Sequence, residues 1–110
     1  MQLITITGGR TLHGRIRPAA AKNSVLPLLA ATLLCRTPSR LRAVPPLADV
    51  ATSLALLQSV GAKAERQGSD LFVAPGQDLQ GEIPDYLAGA MRSSVFYLAP
   101  LLCRVGEVRL

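Results

Sequence analysis

The stretch PPLADVATSLALLQSVG, followed without a gap by AKAERQGSDLFVAP, does most to restrict the fold. Leu47, Val50, Leu54, Leu57 and Val60 recur every three or four residues, the period of a helix with one apolar face. Pro45 and Pro46 lead into it, and Gly61 is placed to stop it in the left-handed conformation. The next two short runs flank Gly68 and Ser69 and read as a β-hairpin. A helix and a hairpin that each have one face to cover are the parts of a layered α/β or α+β domain.

The remaining segments extend the same order. Residues 2–7 and 12–17 alternate around a Gly-Gly connection and predict two antiparallel strands, with Pro18 ending the second. Pro27 is tolerated where its missing N–H has no intrahelical partner, so the helix over residues 24–35 is predicted to begin at Asn23 or Ser24, either of which can cap it. SRLRAV reads as a short strand. GQDLQGEIP is a loop, DYLAGAMRSSVFYLAPLLCRVG one long helix opening at Asp85 and closing at Gly106, and EVRL the start of a strand. Between residues 12 and 74 the order is strand, helix, strand, helix, strand, strand, after which a helix and a strand begin again. That is α/β organisation.

The chain has 110 residues, 49% of them hydrophobic, which is material for one compact domain. Its net charge of +5 is unevenly spread. Residues 1–55 hold seven Lys and Arg against Asp49 alone, a net of +6, while residues 56–110 hold five against six acids, a net of −1. Such a half attracts anions. Nucleic acid is set aside as the partner, because the four aromatics all lie in the other half and the arginines are spread singly. The start MQLITITGG lacks the basic and apolar regions of a secretion signal, which predicts a cytoplasmic protein. The longest apolar stretch, residues 25–35, falls short of the ~20 residues of a membrane span. Cys35 and Cys103 have no CxxC spacing and the chain has one His, so neither a metal site nor a disulfide is expected and both thiols are predicted to be buried. His13 is expected half-exposed on a strand.

Lys22 and Asn23 stand directly ahead of the first helix. Free amides and about half a positive charge at a helix start favour an anion, and a lysine just outside adds a mobile cation. From the residues alone, Asn23 is either a cap or a ligand group, and Lys22 either a solvated cation or part of an anion pocket. Arg92 interrupts an apolar face formed by Leu87, Met91, Val95 and Leu98, a setting that asks for a partner.

AAAKNSVLPLLAATLL, VPPLADVATSLALLQSVGAK and AMRSSVFYLAPLLCRVG, in that order, resemble the amino-terminal quarter of the UDP-N-acetylglucosamine enolpyruvyl transferases (UDP-N-acetylglucosamine 1-carboxyvinyltransferases). The resemblance runs over nearly the whole chain, with Ala20, Ser93 and Phe96 standing where the family usually has Gly, Ala and often Trp. It implies an inverse α/β barrel piece, one βαβαββ unit plus the start of a second, with residues 1–21 belonging to the family's first domain and 22–110 to an incomplete second. It implies transfer of enolpyruvyl from phosphoenolpyruvate to the 3-hydroxyl of UDP-N-acetylglucosamine in peptidoglycan synthesis, and through that a part in cell-wall biogenesis, cell shape and cell division, with no metal or organic cofactor. Lys22 and Asn23 would then bind phosphoenolpyruvate, and Arg92 would bind UDP-N-acetylglucosamine. The family's catalytic cysteine sits in a PGGC-like loop beyond Leu110, so this chain is expected to be inactive alone, and to associate with itself or with a separate remainder. The alternatives are a noncatalytic structural piece and a basic binding module.

Overall fold

The computed structural model describes residues 2–19 and 21–110. Helix α1 (Lys22–Ala31) runs into a 3-10 turn (Thr32–Leu34), and Val25, Leu26, Leu29, Ala30 and Leu33 line its buried face. It starts earlier than the caps suggested. Extended Ala21 precedes it, and the Ala21 carbonyl accepts the Ser24 and Val25 amides at 3.1 and 3.2 Å and the Ser24 hydroxyl at 2.9 Å. Neither Asn23 nor Ser24 is therefore the cap. Lys22 is the first helical residue, and Pro27 falls in the second turn, where it deprives the Asn23 carbonyl of its usual donor.

Strand β1 (Ser39–Leu41) leads to helix α2 (Ala48–Ser59), which buries Val50, Ser53, Leu56 and Leu57 and gives way to Gly61 at φ +101. Strands β2 (Lys63–Gln67) and β3 (Asp70–Ala74) form the predicted hairpin across Gly68, φ +61, and Ser69. The sheet is antiparallel in the order β1-β3-β2, with Leu41 opposite Leu71 and Ala64 opposite Val73. Leu71, Val73 and Ala64 point inward against α1 and α2, where Leu29, Leu33, Val50, Leu56 and Leu57 close the core. Each such Leu or Val contributes roughly 1.5–3 kcal/mol by leaving water.

The predicted long third helix is broken. Helix α3 (Asp85–Ala88) begins after Pro84, Met91 is extended at φ −153 and ψ 144, a 3-10 segment covers Arg92–Tyr97, and helix α4 (Leu98–Val105) ends at Gly106, φ +87. The Ser94 hydroxyl donates to the Ala88 carbonyl at 3.0 Å, occupying the acceptor that a continuous helix would offer to the Arg92 amide. Arg104 fastens α4 down by donating to the Leu33 carbonyl at 2.6 Å and the Gly76 carbonyl at 3.0 Å. The expected final strand is reduced to one parallel bridge between Glu82 and Arg109.

Residues 2–19 contain no strand, so the first predicted hairpin does not form. Leu3, Ile4, Ile6, Leu12 and Ile16 are 81–93% exposed. A two-stranded ribbon with nothing covering its apolar side chains is marginal in water, and the rest of this chain offers no cover. His13 is accordingly exposed rather than half-covered on a strand. Both cysteines are exposed too, against expectation. Cys35 follows the 3-10 turn, and Cys103 lies about 200° around α4 from buried Leu101.

Candidate anion-binding cleft

Two helix starts meet at one cleft of about 490 Å³. Lys22 is the first residue of α1 and Asp49 the second of α2, so the positive ends of both helix dipoles face it. The break at Met91 brings Arg92 to the same place, and Leu26, Met91 and Phe96 supply apolar wall. Lys22, Asn23 and Arg92 are 69 and 70 residues apart in sequence across the gap between α1 and the 3-10 segment, yet they line a single cavity. A larger cleft of about 560 Å³ against β2 and β3 contains none of the three.

Lys22 Nζ lies 2.5 Å from Asp49 Oδ2, with the two side chains 53% and 27% exposed. At that exposure an ion pair is worth only about 0.2–1 kcal/mol, so it holds the ammonium without committing it. Arg92 is exposed, rather than enclosed by an apolar helix face, because Val95 turns half outward on the 3-10 segment. Among the described residues neither the Arg92 guanidinium nor the Asn23 amide has a hydrogen-bond partner, and five guanidinium donors with one amide are available to a ligand. Beside them the Ser93 hydroxyl is buried with no partner. Behind the wall, Tyr97 is 1% exposed and its hydroxyl is also unpartnered, while neighbouring Ser53 donates its own hydroxyl to the Met91 sulfur at 3.6 Å. Burial pushes the Tyr97 phenol up to about 12, opposed slightly by the nearness of the Ser53 hydroxyl, which stands outside hydrogen-bonding geometry with it. No group of three or more His, Cys, Asp or Glu side chains able to hold a metal occurs among the described residues.

Residues 6–110 match the model of the family of EPSP synthase (3-phosphoshikimate 1-carboxyvinyltransferase). The chain belongs to this family. It is 43% identical over 109 residues to the UDP-N-acetylglucosamine 1-carboxyvinyltransferase of Sorangium cellulosum (strain So ce56), a match that takes in 99% of this chain and 26% of that protein. It is 42% identical over 112 residues to the enzyme of the same name from Myxococcus xanthus (strain DK1622), covering 99% and 27%. The chain thus spans about a quarter of the length of the curated relatives it matches. Its fold is similar to the crystal structure of the enolpyruvyl transferase NikO from Streptomyces tendae, with a TM-score of 0.78 and 28% identity over 94% of this chain and 24% of that one. The enolpyruvyl-transferase-like fold expected from the sequence is the fold observed, in a piece with a three-stranded sheet.

Within this family fold, Asp49 is the cleft residue that sequence reasoning passed over. An acid in the first turn of a helix is favoured by the helix dipole whatever its neighbours. Only the packing of α1 on α2 reveals that it faces Lys22.

Proposed function

We propose that this chain is the amino-terminal part of a UDP-N-acetylglucosamine 1-carboxyvinyltransferase and carries part of its substrate-binding surface. The observation that bears most weight is the meeting of Lys22, Asn23 and Arg92 at one cleft, together with the relatives' 42–43% identity. Lys22 would meet the carboxylate or phosphate of phosphoenolpyruvate, where charge shifts during addition and elimination, and Asn23 would donate to it from the first turn of α1. Arg92 would take UDP-N-acetylglucosamine, its fork suited to an anionic or carbonyl oxygen. In the whole enzyme the enolpyruvyl group would pass to the sugar 3-hydroxyl with loss of phosphate, serving peptidoglycan synthesis in the cytoplasm and, through it, cell shape and division.

The catalytic group is assigned to sequence outside this chain, so the chain alone is expected to bind without turning over. The exposed alternating residues 2–19 support assigning them to a first domain completed by other sequence, with residues 22–110 belonging to a second. Until that sequence covers them, they favour association of copies or capture of a separate remainder. Thermal denaturation tests the reading. Phosphoenolpyruvate and UDP-N-acetylglucosamine are expected to raise the midpoint, Lys22→Ala to abolish the first response and Arg92→Ala the second. Equal responses in both variants and the parent chain would refute the assignment.

A further inference from the structure

One segment of the chain carries a strand pattern with nothing to pair to, and one edge of the fold carries strand groups with no partner. Residues 12–17 alternate Leu12, Gly14 and Ile16 with His13, Arg15 and Arg17, and among the described residues residues 2–19 make no backbone hydrogen bond. Leu12 and Ile16 are 91% and 93% exposed. Residues 107–110 run parallel to residues 81–83, and Arg109 turns its amide to the Gly81 carbonyl at 2.7 Å and its carbonyl to the Ile83 amide at 3.1 Å. The pleat therefore aims the amides and carbonyls of Val108 and Leu110 the opposite way, where they meet no partner among the described residues. We propose that residues 12–17 of a second copy of this chain add to that edge as an antiparallel strand. The inference rests on the part of the functional reading that leaves residues 2–19 uncovered, and not on the substrates of the cleft.

Pleat, polarity and charge agree on one register. Val108 packs partly against the core and shares a face with Leu110, which is 51% exposed, while Glu107 and Arg109 face outward. Setting Leu12 across from Leu110 and Gly14 across from Val108 gives the free amides and carbonyls their partners and puts apolar beside apolar. The same register sets Arg15 across from Glu107, whose own ion pair with Arg109 is a 3.5 Å contact between side chains three-quarters exposed. Charge selects the edge and the register here; the affinity comes from the backbone pairing and the covered apolar side chains. The other edges are poor hosts. Strand β1 has three residues with Arg40 in the middle, and on β2 Gln58 Nε2 already donates to the Ala64 carbonyl at 2.6 Å while Lys63 and Arg66 repel the incoming arginines. Once residues 12–17 are held, residues 2–7 gain a neighbour across Gly8 and Gly9, so the hairpin that the sequence predicts forms on docking.

The contact is small, so weak pairing with a dissociation constant on the order of 0.1–1 mM is expected. Sedimentation equilibrium of the 110-residue chain across that range should show the mass rising from 11.6 kDa toward twice that value. Leu12→Asp and Gly14→Pro lie in a segment that makes no hydrogen bond to the fold, so they should leave the melting midpoint unchanged and weaken the pairing about tenfold or more. Disulfide capture in a Cys35→Ser, Cys103→Ser background reads the position of the strand. Mixed chains carrying Arg15→Cys and Glu107→Cys should give a cross-linked pair of unlike chains, and Arg15→Cys mixed with Lys63→Cys on the order of tenfold less. A chain that stays at 11.6 kDa throughout overturns this inference and the self-association expected above, and leaves standing the cleft reading, which ligand-dependent melting tests. Association that survives Leu12→Asp and Gly14→Pro, or capture at Lys63 equal to that at Glu107, overturns the docking edge alone.

Discussion

Replacing Tyr97 by Phe removes one oxygen atom from the core and is expected to stabilise the chain. The ring is 1% exposed and its hydroxyl has no hydrogen-bond partner among the described residues. Burying an unpaired hydroxyl costs about 1–3 kcal/mol, and the deletion leaves no donor or acceptor stranded, because the Ser53 hydroxyl already turns to the Met91 sulfur. The expected gain at pH 7 is about 1 kcal/mol, or roughly 4 °C in melting midpoint for a domain of this size. The pH dependence provides a second arm. The folded phenol holds its proton up to about 12 against 10.0 when unfolded, so its contribution to stability is fully present below pH 10 and is lost as pH rises toward 12. Two pH units correspond to about 2.7 kcal/mol. Urea unfolding from pH 7 to pH 12, read as the difference between parent and Tyr97→Phe to cancel the other titrating groups, should show the variant's advantage growing above pH 10. A variant destabilised by 1 kcal/mol or more at pH 7, with no divergence above pH 10, would mean that the hydroxyl is bonded and the reasoning wrong.

Arg104→Ala should cost about 2 kcal/mol by chemical denaturation, because it strands the Leu33 and Gly76 carbonyls that its guanidinium serves; a change under 0.5 kcal/mol would make those bonds incidental. Asp70 accepts from the Arg40 guanidinium and the Ala43 amide, which hold its carboxyl below the ordinary 3.8. Its contribution is therefore present above the ordinary carboxylate range and lost as pH falls through the lowered value, so Asp70→Asn should be less stable than the parent at pH 7 and the gap should close progressively as the pH falls below 3.8. A gap that is constant with pH would exclude the charge as its cause.

Helix α2 and its Gly61 stop, the β2–β3 hairpin and the Gly106 terminus were legible because each rests on a pattern confined to a few neighbouring residues. What escaped depends on contacts between distant segments. The break at Met91 turns on the Ser94 hydroxyl reaching Ala88, an option a helical reading of DYLAGAMRSSVFYLAP does not weigh. The start of α1 turns on a backbone carbonyl, Ala21, instead of the side-chain cap that Asn23 and Ser24 advertise. The alternation in residues 2–17 predicts a hairpin, but alternation records only that one face needs cover, not that this chain supplies it. Residue type alone puts Cys35 and Cys103 inside, but it says nothing about the side of the helix they occupy. In the cleft, Lys22, Asn23 and Arg92 are each legible in the sequence, whereas Asp49 depends on the packing of α1 against α2.

The central claim is that the start of α1, with Lys22 and Asn23, forms the site of an anionic donor. Backbone and side-chain amide NMR during a phosphoenolpyruvate titration locates that site residue by residue. The account predicts saturable shifts at the Asn23 and Ser24 backbone amides and the Asn23 side-chain amide, absent in Lys22→Ala. Shifts that gather instead around Lys63 and the β2–β3 cleft, or that persist unchanged without Lys22, would contradict it.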